Sequence, residues 1–379
     1  MTLRLSTLSP HLLSVPLVQN LRNINVRTAT DLIFSSPAEI ISRLPPGTIS
    51  LLDLRLCIER VTEQFAVGSV NAQDIHEAIM LEDGHRDDME VRSGVEALDA
   101  LLGGGFGGYG SAEGDSSSLA GVAGGGRVIE ISGDGGAGKT TLALHLVFRH
   151  LTQHERTSAL FIDTVGDLSP ERVVSLAGQA DCMEPGTKTV LERLQITIAF
   201  DLDAAYNVLE NLRAVTTADP SATPRCRIVI IDTITSLLGP QLSAVSSQGH
   251  AAMTDFMRFL RSLAQSYGLC ILVLNSATSA HGPNPSSSFS STTKKPALGP
   301  SFVFMTDATL WLSNLPPELA SDEKGTQNTT SQTPLDTNVN EGDNRDLGEL
   351  RVAEVFRSHV SPSKTWCTFR IKDGVILAA

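Results

Sequence analysis

The feature that most constrains this chain is an apolar run that ends in a glycine-rich turn and passes directly into helix-forming sequence. It spans residues 127–146, RVIEISGDGGAGKTTLALHL. Gly133, Gly138, Lys139 and Thr140 fit the pattern G-x-x-x-x-G-K-[ST], with Asp134, Gly135, Gly136 and Ala137 in the variable places and Thr141 following. Between a strand and a helix, such glycines let main-chain N–H groups turn inward around a polyphosphate. The helix then points its positive N-terminal end at the same anion. Lys139 is placed to reach the β and γ phosphates, and the Thr140 hydroxyl to complete a Mg2+ shell shared with phosphate oxygens.

Beyond the loop, apolar strands and amphipathic helices alternate, the signature of a mostly parallel sheet covered on both faces and hence of the α/β class. Strands are expected over 158–163, 194–198, 227–232 and 269–274, then over 309–312, 349–356 and 365–371. A helix from about 251 to 266 puts Met253, Phe256, Met257, Leu260, Leu263 and Ala264 on one stripe, read as sheet-facing core. The run RIVIID ends in Asp232 at a strand's C-terminal edge, where α/β sheets place ligands. Asp232 therefore joins Thr140 as an expected Mg2+ ligand. Thr233 and Ser236 just after it are read as hydrogen-bond donors or helix caps.

The flanking sequence divides the chain. Residues 1–64 carry short helical patterns, with Ser36 as an N-cap, Pro37 in a first turn, and apolar residues at three- and four-residue spacing over 49–65. They form a small helical domain, read as a docking or capping module. Residues 65–91 are a polar, acidic linker including Glu82, Asp83, Asp87, Asp88 and Glu90. It serves as a tether or, at Phe65-Ala66-Val67, as an edge strand for another protein's sheet. Residues 92–379 make the core. It is interrupted at 107–126, almost wholly Gly, Ser and Ala, and at 313–348, which is polar with few apolar residues; both compositions predict disorder.

Charge and cysteine usage restrict the partners. Twenty-nine Lys and Arg against 42 Asp and Glu give a formal net charge of −13, which disfavours tight autonomous binding to nucleic acid. Any DNA contact must be local or shared with a partner. Cys57, Cys182, Cys226, Cys270 and Cys367 lack C-x-x-C spacing, arguing for a reducing compartment and against structural zinc. No apolar run approaches membrane-spanning length and the N-terminus does not read as a secretory signal, so no membrane partner is expected.

Ser93-Gly94, Leu98-Asp99 and Leu101 to Gly105 precede the glycine loop, and in this order the chain resembles the eukaryotic RecA-like strand-exchange recombinase and its paralogues. It is most similar to the D-type paralogue branch at Val70-Asn71 and Asp74, Arg193-Leu194-Gln195, Ala199-Phe200-Asp201, and Lys295 to Gly299. The resemblance covers nearly the whole chain outside the two insertions. It implies a RecA-like P-loop NTPase core with ATP and Mg2+ as cofactors, and places Asn275 beside the nucleotide with residues 133–141 and Asp232. It also implies a nuclear recombination mediator that works with other recombinase paralogues in a heteromeric complex on single-stranded or branched DNA. The helical domain and linker engage one paralogue and the core another.

Departures from the family pattern sharpen this expectation. Active relatives place a water-activating glutamate where this chain has Val165, and valine cannot move a proton. Asp167 and Glu171 nearby read as capping or solvated residues. Loss of a general base removes a factor of roughly 10²–10⁴, so binding with slow hydrolysis is expected. Asn275 is followed by Ser276 where relatives carry a glutamine that senses the γ-phosphate. Residues 278–293, aligned with the family's second DNA-facing loop, are serine-rich with His281 and the adjacent Lys294 and Lys295 as cations, and either touch DNA or form a plain surface loop. The first such loop, around 239–250, has no Lys or Arg. Two other readings remain: a nucleotide-binding scaffold without hydrolysis, and a P-loop small-molecule kinase, which needs an Arg-rich lid that the sequence lacks.

Overall fold

The computed structural model describes residues 5, 13–65, 90–107, 126–179, 187–218, 224–242, 247–319 and 348–379. It divides into two compact units, Met1–Met80 and Leu81–Ala379. The described parts of the first are helices α1 (Val15–Asn23), α2 (Ala29–Phe34), α3 (Pro37–Arg43) and α4 (Leu51–Phe65), packed around Leu17, Leu21, Leu32, Ile40, Leu54 and Val61. A reciprocal capping box starts α2: the Thr28 hydroxyl accepts from the Asp31 N–H at 3.1 Å while the Asp31 carboxylate accepts from the Thr28 N–H at 2.9 Å. Ser36 does stand at the N-cap of α3, but its hydroxyl makes no capping bond. The helix expected from 49 begins at Leu51, because Ser50 caps it by accepting from the Asp53 N–H at 3.1 Å. Of the linker, only Phe65, Glu90 and Val91 fall within the described residues; the proposed edge strand otherwise lies outside them.

The second unit is organised by a nine-stranded sheet. In chain order its members are β1 (Arg127–Gly133), β2 (Thr157–Asp163), β3 (Leu194–Ile198), β4 (Arg225–Asp232), β5 (Cys270–Asn275), β8 (Ala308–Asn314), β9 (Glu349–Ser358), β10 (Trp366–Lys372) and β11 (Val375–Ala378); β6 (Ala277–Ser279) and β7 (Lys294–Pro296) form a separate hairpin. The sheet order is β11-β10-β9-β8-β1-β5-β4-β2-β3, and the strands from β8 to β3 run parallel. The remaining three pair antiparallel.

Because successive strand side chains point to opposite faces, the continuous apolar runs feed two cores. Ile129 and Ile131 pack in one with α5 (Glu96–Ala100), α6 (Lys139–Gln153), α7 (Pro170–Gln179) and α8 (Thr187–Glu192). Val128, Val229 and Ile271 pack in the other with α9 (Leu202–Ala218), α10 (Ile234–Leu238), α11 (Ser247–Tyr267) and α12 (Pro300–Val303). The stripe from Met253 to Ala264 on α11 is buried in this second core. At about 1.5–3 kcal/mol per large apolar side chain removed from water, it is structural and not a groove.

The second insertion starts later than its composition suggested. Ser313 and Asn314 still pair with Val352 and Arg351 and complete β8, since main-chain pairing accepts polar side chains at a strand end. Residues 320–347, and 108–125 of the first insertion, lie outside the described residues. Among the described residues no helix is long and apolar enough to cross a membrane.

The parallel strands bring their C-terminal ends to one edge. In register, Ser132 lies opposite Asn275, Asp232 opposite Leu274, and Asp163 opposite Asp232.

Candidate nucleotide site

The glycine loop between β1 and α6 is shaped by steric need. A Cβ at Gly133 would lie 2.3 Å from the Leu312 carbonyl oxygen of β8, so no other residue lets the chain leave the sheet here. Gly138 caps α6 at φ 93°, left-handed backbone that favours glycine, and a Cβ there would meet Ile371 Cδ1 at 2.4 Å. Around Gly135 and Gly136 nothing lies within 4 Å of where a Cβ would sit, leaving an open cradle. Ala137 is buried and donates its N–H to the Asp134 carbonyl at 3.2 Å, which closes the turn. Thr141 is buried in the first turn of α6.

Lys139 folds back over this loop. Its ammonium donates to the carbonyls of Gly133 at 2.8 Å and Asp134 at 2.7 Å. Burial lowers its pKa, against the opposing pull of Asp232 and Asp134. Thr140 Oγ1 donates to Asp232 Oδ2 at 2.6 Å, joining helix α6 to the tip of β4. Burial raises the Asp232 pKa and neighbouring Asp163 adds to it, while the Thr140 bond and Lys139 oppose the rise. A carboxylate held against its own charge is one that a divalent cation stabilises. Among the described residues no three His, Cys, Asp or Glu side chains converge to hold a metal unaided. The residues present therefore fit a magnesium–triphosphate: an open cradle of main-chain donors, an ammonium resting on carbonyls, and a hydroxyl–carboxylate pair whose metal needs phosphate and water oxygens to complete its shell.

The tip of β2 is arranged differently. Asp163 Oδ1 accepts from the N–H groups of Val165 at 3.0 Å and Gly166 at 2.7 Å, and Oδ2 from Leu168 at 3.0 Å. Burial alone would raise its pKa; the backbone bonds from Leu168, Val165, Gly166 and Asp167 outweigh burial and lower it. Val165 is 48% exposed at the turn these bonds define. Ser169 caps α7 by accepting from the Arg172 N–H at 3.2 Å, and the side chains of Asp167 and Glu171 are exposed.

The tip of β5 carries a buried polar network. Asn275, expected beside the nucleotide, lies opposite Ser132 with its carboxamide fully buried and both ends engaged: Nδ2 donates to Glu130 Oε1 at 2.7 Å, and Oδ1 accepts from Thr235 Oγ1 at 2.7 Å. Glu130 Oε1 also accepts from Ser132 Oγ at 2.6 Å, and Oε2 from Thr309 Oγ1 at 2.7 Å. Burial raises the Glu130 pKa against these three bonds. The network ties β1, β5, β8 and α10 together behind the loop. Its sequence signal was a lone carboxylate inside the apolar run VIEIS. Thr233 caps α10, accepting from the Ser236 N–H at 3.4 Å.

Three further elements are fixed by side-chain contacts. Asp99 holds the turn of the Ser93-Gly94 motif, accepting from Ser93 N at 2.7 Å, Ser93 Oγ at 2.8 Å and Gly94 N at 3.1 Å. Arg193 caps α6, donating to the carbonyls of Leu151 at 2.6 Å and His154 at 2.7 Å. The serine-rich stretch after β6 is fastened by carboxylates: Ser287 and Ser288 bond Glu354, Ser290 and Ser291 bond Glu318, and Phe289 is buried 5.3 Å from the Trp366 ring centroid. At its end Lys294 Nζ donates to Asp134 Oδ2 at 2.6 Å. The other expected DNA-facing stretch is shorter than its sequence implied. Gly239–Gln241 form a 3-10 turn and Ser247 already begins α11, while 243–246 lie outside the described residues.

An α/β sheet of this order, with a glycine loop and a hydroxyl–carboxylate pair at its C-terminal edge, defines a RecA-like P-loop fold. Residues 85–314 match the Rad51 family model, and the chain belongs to the Rad51 family. It is 26% identical over 303 residues to DNA repair protein RAD51 homolog 4 of Bos taurus, covering 80% of this chain and 82% of that one. To the Mus musculus protein of the same name it is 25% identical over 289 residues, covering 76% and 78%. The crystal structure of the RadB recombinase matches 76% of this chain and 99% of its own, with a TM-score of 0.48 and 20% identity.

Proposed function

We propose that this chain is an ATP-binding, slowly hydrolysing subunit of a heteromeric recombinase-paralogue complex that promotes homologous-recombination repair of DNA in the nucleus. The observation that carries the reading is the convergence of Lys139 with the Thr140–Asp232 pair on an open glycine cradle. Bound MgATP supplies the phosphoryl group for transfer to water. The loop N–H groups and Lys139 hold its phosphates, and Thr140 and Asp232 hold its metal. No side chain at the β2 tip is set to take a proton from that water: Val165 has none to exchange, and Asp163 faces its own loop with a lowered pKa that makes it a weak base.

Partner binding is supported by β3, which among the described residues is an edge strand of the sheet. On β3, Ile196 and Ile198 are 45% and 55% exposed, and a groove of about 370 Å3 lined by Leu160, Ile196, Val208, Leu212 and Val215 runs beside them. An exposed edge strand with apolar pockets suits an extended segment of another paralogue, added as a further strand. The names of the relatives support the repair role. Single-stranded or branched DNA is taken up jointly with partners, since serines between His281 and Lys295 are bonded to the carboxylates of Glu318 and Glu354, which oppose a second anion. We read residues 1–64 as the helical partner domain, 65–91 as its linker and 92–379 as the ATPase core. Val165 also favours a second reading, a scaffold that binds nucleotide without hydrolysing it.

Equilibrium titration of MgATP into the purified chain tests the shared premise. Removing a charge-assisted contact network at Lys139 with Lys139→Ala is expected to weaken binding by at least about a hundredfold. Equal binding by wild type and variant would sink both readings.

A further inference from the structure

We infer that Lys294 is a positioning residue of the nucleotide site, which reports the terminal phosphate to residues 278–293; the inference rests on the nucleotide reading above. Lys294 opens β7, paired with Ser279 of β6, at the C-terminal base of the serine-rich stretch. Its ammonium reaches across 160 residues of sequence to the carboxylate of Asp134. Asp134 is also the residue whose carbonyl accepts from Lys139. Two ammonium groups from separate elements thus converge on one loop residue, one through its main chain and one through its side chain.

The charges explain why this contact responds to ligand. Both partners are about half exposed, 47% and 45%, so the pair alone holds weakly. A polyphosphate in the cradle brings further negative charge beside Asp134, which is unfavourable unless a cation stands between them. An ammonium has three donors and satisfies a carboxylate and a phosphate oxygen together. Lys294 is thereby drawn more firmly onto the loop when the extra phosphate is present.

The hairpin can transmit that change. Asn284 Nδ2 donates to the Lys294 carbonyl at 2.7 Å, and Asn284 N donates to the Thr292 carbonyl at 2.7 Å, so residue 294 is tied across the stretch. The tip of β5 offers no equivalent route, because Asn275 is engaged by Glu130 and Thr235, and the Ser276 N–H donates to Thr235 Oγ1 at 2.8 Å. By linkage, whatever nucleotide does to the order of 278–293, that order does to nucleotide affinity.

The test uses the full chain, measuring MgATP and MgADP affinity and backbone hydrogen exchange over 278–293 with each nucleotide and with none. In wild type, ATP slows exchange there more than ADP does. In Lys294→Ala, ATP affinity falls about tenfold, ADP affinity changes less than about threefold, and the exchange difference between nucleotides disappears. Lys294→Arg restores both. If Lys294→Ala speeds exchange without nucleotide yet leaves the ATP-to-ADP affinity ratio unchanged, the lysine only fastens the hairpin and the inference is overturned while nucleotide binding stands. If wild type binds neither nucleotide, both the inference and the nucleotide reading fall.

Discussion

The tips of β1 and β4 and the tips of β2 and β5 stand side by side at one sheet edge, yet they differ in what their polar groups are free to do. At the first pair, Lys139 rests on two carbonyls and Asp232 is a buried carboxylate bonded to a hydroxyl. These groups gain from an arriving anion and cation. At the second pair, Asp163 is saturated by backbone donors and Asn275 is bonded at both ends. Those groups already have protein partners and hold the scaffold. Under the proposed function, holding a nucleotide and acting on it are thus separable in this fold, with Lys139, Thr140 and Asp232 assigned to the first.

The comparison can be broken by showing that scaffold groups govern binding. Glu130→Ala leaves Asn275 Nδ2 and the hydroxyls of Ser132 and Thr309 without their acceptor in a dry interior, which should cost about 3 kcal/mol in urea unfolding at neutral pH. Under conditions where the variant is folded, its MgATP affinity should stay within about threefold of wild type. A loss of affinity as large as the loss of stability would erase the division.

Asp232→Asn sharpens it from the other side. The folded-state pKa of Asp232 is raised, so its ionisation opposes folding: the penalty is absent below the unfolded value near pH 3.9 and develops as pH rises through the folded value. The substitution keeps an acceptor for Thr140 and should raise the thermal midpoint of the ligand-free protein at pH 7, with the gain vanishing in acid. It should also weaken Mg2+-dependent nucleotide binding by about tenfold, as expected for a lost charge-assisted contact. Differential scanning fluorimetry with and without MgATP reads both effects.

The smallest effect concerns the serine-rich stretch. Hydrogen bonds from the Ser291 hydroxyl and N–H, with help from Ser290, lower the Glu318 pKa to about 2. The hold is complete above the unfolded carboxylate value, near pH 4.3, and is lost as pH falls through the folded one. The Ser291 amide proton shift should therefore stay flat through about pH 4.3 and move only as pH falls toward about 2, where the folded carboxylate takes up its proton, and in Glu318→Gln it should show no such titration. A wild-type shift already moving near pH 6 would mean that another group controls this loop.

What could be read from the sequence followed distance along the chain. The glycine loop was legible because its geometry requires particular residues at fixed local spacing. The parallel strands were legible because burial on both faces produces unbroken apolar runs, and the stripe from Met253 to Ala264 because helical periodicity is local. The Glu130 network was not, since its partners Asn275 and Thr309 lie 145 and 179 residues away. Lys294 read as a cation for DNA because nothing near it reveals Asp134, 160 residues earlier. The serines read as DNA-facing or as a plain surface loop for the same reason: their partners, Glu354 within β9 and Glu318 beyond β8, are brought close only by the folded sheet. The position of Asn275 at the tip of β5 was legible from the motif, whereas its side-chain partners, Glu130 of β1 and Thr235 of α10, were not.

The most direct test of the division between holding and acting is single-turnover ATP hydrolysis by the purified chain, wild type beside Val165→Glu, at saturating MgATP and with single-stranded DNA present. Wild type should bind ATP and turn it over slowly, and a carboxylate at position 165 should raise the rate by about tenfold or more without changing affinity, since it supplies the missing base. A wild-type rate that Val165→Glu leaves unchanged or lowers would contradict the claim and place the catalytic group elsewhere.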